Sequence, residues 1–118
     1  MRRLTLVLLV VGAVQHTAAA ADRMQFWNLT STTITGLALA PAGTTAFGLN
    51  QCANDKDGAV DHDERLRLIG IEPGRYDVKV TDKKGRVCTA RNVAVKGEGR
   101  YAFSLSDEDL QDCQAAPH

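Results

Sequence analysis

The sequence predicts a small all-β domain, an antiparallel β-sandwich or Greek-key arrangement of about six to seven strands. Three observations carry that expectation. Short stretches rich in β-branched, aromatic and apolar residues recur along the chain, several with an apolar–polar period of two. Turns bearing glycine or proline separate them. Beyond residue 21 no long amphipathic helical pattern occurs.

Met24-Gln25-Phe26-Trp27-Asn28 is a short aromatic-bearing run that predicts a first strand, ending at Asn28-Leu29-Thr30. A second strand is expected over Ile34-Thr35-Gly36-Leu37-Ala38-Leu39-Ala40, stopped by Pro41. Residues 41–64 have little periodicity and are long for one connection, the kind of segment that is functional or mobile. Arg65-Leu66-Arg67-Leu68-Ile69 alternates charge with bulk, as a half-buried strand does, and Glu72-Pro73-Gly74 supplies a turn. In Tyr76-Asp77-Val78-Lys79-Val80-Thr81 the period of two puts Tyr76, Val78 and Val80 on one face and Asp77, Lys79 and Thr81 on the other. Asp82-Lys83-Lys84-Gly85 reads as a hairpin turn returning the chain through Val87 to Val95. After the turn Lys96-Gly97-Glu98-Gly99, the residues Tyr101, Phe103 and Leu105 alternate again and are expected in the core. Ser106-Asp107-Glu108-Asp109 has the composition of a helix start, so a single turn is expected before Cys113.

The N-terminus has the three parts of a cleavable secretory signal: Met1-Arg2-Arg3, the apolar run Leu4 to Val14, and Ala18-Ala19-Ala20-Ala21. The apolar run would span about 16 Å as a helix against roughly 30 Å of bilayer core, so no stable membrane insertion is expected. The prediction is a signal peptide over 1–21 and one domain over 22–118, periplasmic or secreted. The whole chain balances 14 Lys and Arg against 14 Asp and Glu. Without residues 1–21 the balance is 12 against 14, a net charge of −2. A weakly acidic domain with no basic cluster is a poor candidate for phosphate-dominated nucleic-acid binding or for attachment to an anionic membrane. Leu, Ile, Val and Phe supply only 20 of those 97 residues, so the core is thin and a disulfide would help it.

Export implies an oxidising compartment, and three cysteines cannot all pair within one chain. The favoured pairing is Cys88–Cys113, worth about 3 kcal/mol on a chain-entropy argument. Cys52 is then the odd thiol: either a buried apolar side chain, or a reactive group that could link two copies, making the protein a monomer or a Cys52-linked dimer.

The most suggestive polar cluster is Asn54 to Glu64. Aligning Gly58 with the turn of a calcium loop places Asp55, Asp57, Asp61 and Glu64 as candidate ligands for weak Ca²⁺ binding, although Ala53 stands where the first carboxylate belongs. A solvated acidic loop is the simpler account. His62 between Asp61 and Asp63 could act with Glu64 in an enzyme site if these groups shared a pocket. No zinc spacing, nucleophile elbow or nucleotide-binding loop is present, so the expectation is a non-enzymatic module with no cofactor other than Ca²⁺. If it binds an envelope protein or small ligand, the loop with Phe47, Gly48, Asn50 and Gln51 is the expected recognition element, together with the acidic run. Asn28-Leu29-Thr30 fits an N-glycosylation acceptor and is treated as structural.

Asn28-Leu29-Thr30, Ile34, Leu37, Pro41-Ala42, Phe47-Gly48-Leu49-Asn50, Tyr76-Asp77-Val78-Lys79-Val80 and Asp109-Leu110-Gln111-Asp112-Cys113 occur in that order. The series resembles a family of small exported bacterial domains of uncharacterised function. In that family an Asn-x-Thr turn, an Ile/Leu strand, a Pro turn, a Trp-Gly-x-Asn loop, a Tyr-Asp strand and a terminal Leu-x-x-Cys recur. The likeness covers most of residues 24–113, with Phe47 where Trp is usual. It implies a bacterial envelope location and a β-sandwich, and transfers no active site.

Overall fold

The computed structural model describes residues 24–115, so the expected signal segment, His16 and His118 lie outside the described residues. Seven strands form two sheets: β1 (Gln25–Leu29), β2 (Ile34–Pro41), β3 (Arg65–Arg67), β4 (Gly74–Asp82), β5 (Val87–Val95), β6 (Phe103–Ser106) and β7 (Gln111–Gln114). One sheet has the order β3-β1-β6, the other β2-β4-β5-β7. The architecture is the expected all-β sandwich. Only β4 and β5 form a tight hairpin within one sheet; Gly85 at φ 83° allows the Asp82–Arg86 turn.

Two features depart from expectation. β1 and β6 run parallel, with Phe26 beside Phe103 and Asn28 beside Leu105, whereas every other pairing is antiparallel. These two strands are separated by most of the domain, so no hairpin dictates their direction. β7 has no apolar alternation to reveal it, and all four of its residues are exposed. It is held on β5 by the Cys88–Cys113 disulfide and by an Arg91–Asp112 ion pair at 2.9 Å. The expected turn before it is a 3₁₀ turn, Asp107–Asp109, whose Asp109 carboxylate accepts from both the N–H and the hydroxyl of Ser106.

The core follows the period-two pattern. Phe26, Leu66, Phe103 and Leu105 face Ile34, Leu37, Leu39, Val78, Val80, Ala90 and Val95. Tyr101 does not join them: Ala102 takes the buried position just before β6, its N–H bonded to the Gln25 carbonyl, which turns Tyr101 to the outer surface. The long connection adds Cys52 and Val60 to the core. It contains a 3₁₀ turn, Gln51–Asn54, and a two-hydrogen-bond bridge between Val60 and Ile34.

Two buried polar side chains set the geometry. Asn28, fully buried, donates to the carbonyls of Thr32 and Val60 and accepts from the N–H and hydroxyl of Thr30. The Asn-x-Thr sequence is therefore an internal clip, unavailable to a glycosyl transferase in the folded chain. Asp77, assigned by parity to the polar face, is also buried, because an extra residue in β5 opposite it creates a bulge. Its carboxylate accepts from Asn92 N–H at 2.9 Å and Gly43 N–H at 3.0 Å, and these bonds, with Arg91 nearby, hold its pKa below the usual carboxylate value.

Asn28→Ala removes four hydrogen bonds and strands the buried donors and acceptors they served, so a destabilisation of about 3 kcal/mol is expected from urea unfolding at constant m-value. Loss of less than about 1 kcal/mol would mean that water replaces the clip. A depressed pKa makes the Asp77 contribution present above the unfolded value, near pH 4, and lost as pH falls through the folded value. Asp77→Ala should therefore be less stable than wild type at pH 7, with the two unfolding midpoints converging below about pH 4.

Candidate functional site

On β1 the alternation that buries Phe26 and Asn28 turns Gln25, Trp27 and Leu29 outward. The register sets Trp27 beside Arg65 of β3 on one side and Ser104 of β6 on the other. Tyr101, displaced from the core, stacks on Trp27 with ring centroids 4.9 Å apart. The Arg65 guanidinium lies 5.3 Å from the Trp27 ring centroid and 5.4 Å from that of Tyr101.

Hydrogen bonds hold this cluster. The Trp27 indole N–H donates to Asp63 Oδ1 at 2.9 Å, and Arg65 Nε donates to the Tyr101 hydroxyl at 2.8 Å. Asp63 has a left-handed backbone, φ 67°, a conformation in which its N–H donates to the Asn28 carbonyl while its carboxylate reaches the indole. Trp27 and Tyr101 are half-buried, and Arg65 is exposed. A groove of about 920 Å³ opens beside them, running between β6 and the Arg91–Ala94 part of β5. Aromatic stacking and cation–π contact make a surface suited to a planar or apolar partner group, with the arginine supplying donors at its edge. The signal for this site in the sequence is the chain's one Trp, which stands one residue from a core Phe, on the opposite parity.

The expected recognition loop is tied down. Gly48 N–H donates to the Leu39 carbonyl. The Asn50 side chain accepts from the N–H groups of Leu37 and Cys52 and donates to the Thr35 carbonyl. Gln51, buried, exchanges hydrogen bonds with both backbone groups of Ile69. The Phe47 ring is covered by the Lys79 ammonium 4.3 Å from its centroid. Residues 48–50 thus close the outer edge of β2, and the polar groups that nominated Asn50 and Gln51 are used internally. Leu49 is 86% exposed.

The acidic run is dispersed in the same way. Asp55 accepts from Asp57 N–H, Asp61 from the Thr33 hydroxyl, and Glu64 from Asp61 N–H. His62 places Nδ1 2.7 Å from the Thr30 carbonyl, so that nitrogen carries the proton and donates. Among the described residues no three His, Cys, Asp or Glu side chains form a group that could hold a metal ion.

Cys52 is fully buried, its thiol donating weakly to the Ile34 carbonyl at 3.7 Å. Burial, and secondarily the negative charge of Asp55, pushes its pKa up to about 11. At pH 8 only about one thiol in a thousand is then ionised, and that thiolate is enclosed. The expected outcome is that a disulfide-exchange reagent leaves the native protein unmodified at pH 8 and titrates one thiol per chain in denaturant. Rapid native labelling, or a Cys52-linked dimer on a non-reducing gel of folded protein, would contradict the enclosed site. The Cys88–Cys113 disulfide itself belongs to a non-reducing environment, and no helix among the described residues is long and apolar enough to cross a membrane. No protein-family model matches the chain, and no curated protein or solved structure shows significant similarity to it, so a reading of its role rests on the surface formed by Trp27, Arg65 and Tyr101.

Proposed function

We propose that this chain is a non-enzymatic recognition module of the bacterial periplasm or secreted medium, engaging an envelope partner through the outer face of the β3-β1-β6 sheet. The observation that carries this reading is the Trp27–Tyr101–Arg65 stack, held by hydrogen bonds to Asp63 and within itself, on the solvent side of a strand that anchors the core. Trp, Tyr and Arg dominate binding hot spots because they bring large contact areas with few degrees of freedom to lose. Here that loss is already incurred in the free protein. The resemblance to small exported bacterial domains and the N-terminal signal pattern support the location, as does the disulfide.

Binding is better supported than catalysis by the dispersal of Asp61, His62 and Glu64, whose hydrogen bonds go to Thr33, to Thr30 and to the Asp61 backbone rather than to one another's side chains. Calcium binding has less support, since Asp55, Asp57, Asp61 and Glu64 do not converge among the described residues.

Trp27, as the only Trp in the chain, reports on its own site. A periplasmic extract fractionated for material that quenches or shifts Trp27 fluorescence would supply the partner for quantitative binding. Trp27→Ala and Arg65→Ala should each weaken that binding about 30-fold or more, equivalent to about 2 kcal/mol, whereas Leu49→Ala leaves it unchanged. Full affinity in the Trp27 and Arg65 variants, read by calorimetry, would overturn the assignment.

A further inference from the structure

The turn between β1 and β2 meets the β4–β5 hairpin around a pocket of about 540 Å³. One wall is the hydroxyl run 31–33, and the other carries Lys83, Lys84 and Arg86. The two walls are joined by the Lys83 N–H, which donates to the Thr33 carbonyl at 2.9 Å. Although residues 22–118 carry a net charge of −2 and no basic run, the hairpin gathers three cations at one concavity.

The carboxylate in the lining is turned away from solvent. Asp82 is 7% exposed, and its two oxygens accept from Lys84 N–H, Arg86 N–H and Arg86 Nε. It therefore shapes the hairpin and orients Arg86, while the terminal amino groups of that guanidinium make no hydrogen bond to it. Lys83 and Lys84 are exposed and form no ion pair with a carboxylate among the described residues. Two further acids lie nearby, Asp61 and Asp107; Asp107 has Oδ1 on the Ser31 N–H at 2.9 Å, and the N–H and hydroxyl of Ser31 are the main groups stabilising its charge, ahead of Arg86 and His62. Of the wall hydroxyls, that of Thr33 donates to Asp61 and that of Thr32 lies 3.3 Å from Thr30 Oγ1. The pocket thus presents Lys83 and Lys84, unpaired, beside Arg86, which is paired with Asp82 through Nε, across from a hydroxyl wall that Asp107 and Asp61 hold through Ser31 and Thr33.

We propose that this pocket binds a phosphate-type oxyanion, carried on a small soluble molecule or on a lipid headgroup. A cluster of two ammonium groups and a guanidinium matches the several acceptor oxygens of a phosphate better than a single carboxylate, and its volume leaves room for the group that carries the phosphate. The site shares no lining residue with the groove beside Trp27 and does not depend on the role assigned there.

The test uses the folded chain and two probes. Titration with inorganic phosphate, followed by amide NMR, should shift the signals of residues 31–33 and 83–86, and the response should weaken as sodium chloride rises. The double substitution Lys83→Gln with Lys84→Gln, at exposed positions, should raise the apparent Kd at least tenfold with the melting temperature unchanged. Co-sedimentation with phosphatidylglycerol vesicles, against phosphatidylcholine vesicles as control, separates the two sources. Vesicle binding lost in the double variant identifies a headgroup, and a phosphate response without vesicle binding identifies a soluble ligand. The proposal is overturned if neither probe perturbs these residues, or if the double variant responds as wild type does.

Discussion

The carboxamide of Asn28 makes four hydrogen bonds in a place that water does not reach, and the chain on three sides depends on them. Through Thr30 and Thr32 it folds the turn that carries the chain from one sheet to the other. Through Val60 it meets the residue that bridges to Ile34 at the start of β2. Its backbone bonds to Asp63 and Glu64, which launches β3 beside β1. Because Asn28 is fixed opposite residues 63–64, the antiparallel register places Arg65 beside Trp27. The proposed recognition surface is thus a consequence of a buried amide one residue away. A satisfied buried polar network of this kind specifies one arrangement, since any slip would strand several donors at once.

A domain with so few large apolar residues has little core to hold its margins, and its edges show how that is managed. At the free edge of β2 the Gly48 N–H and the Asn50 side chain occupy backbone groups that another strand could otherwise take. At the other end of the same sheet β7 contributes nothing to the core, so its attachment rests on the disulfide, the Arg91–Asp112 pair and a short ladder. The Arg91–Asp112 pair is solvent-exposed and adds little by itself. The disulfide therefore has an identifiable task beyond general cross-linking: it keeps an otherwise unanchored strand over the edge of β5.

Where burial follows parity, the sequence was sufficient. Val78 and Val80 alternate into the core as their spacing requires, and the pairing that was favoured among three cysteines, Cys88–Cys113, is the one formed. Parity fails at Asp77 because a bulge in the neighbouring strand folds backbone donors over a carboxylate, and a bulge has no local signature in the strand that faces it. It fails at Tyr101 because Ala102, small and buried, shifts the phase just before β6. The side chains of Asn50 and Gln51 illustrate a different limit. Polar residues in a long loop are equally able to bind a partner or to serve the chain's own backbone, and composition does not distinguish the two. Geometry does, since each here bonds the backbone of a neighbouring segment.

The same distinction bears on where recognition belongs. A surface group contributes most to binding when it is held in place yet retains area to offer, and the expected loop meets only the first condition: Asn50 and Gln51 are held, and their polar atoms are consumed. Leu49 meets only the second, being exposed without a partner to orient it. Trp27 meets both. Its indole N–H is bound to Asp63 and its strand is anchored by Phe26 and Asn28 on either side, while the aromatic ring remains half-exposed with an arginine over it. Tyr101, lying outside the core, sets a second aromatic group beside the first, so the face proposed for recognition keeps contact area that a core position would have hidden.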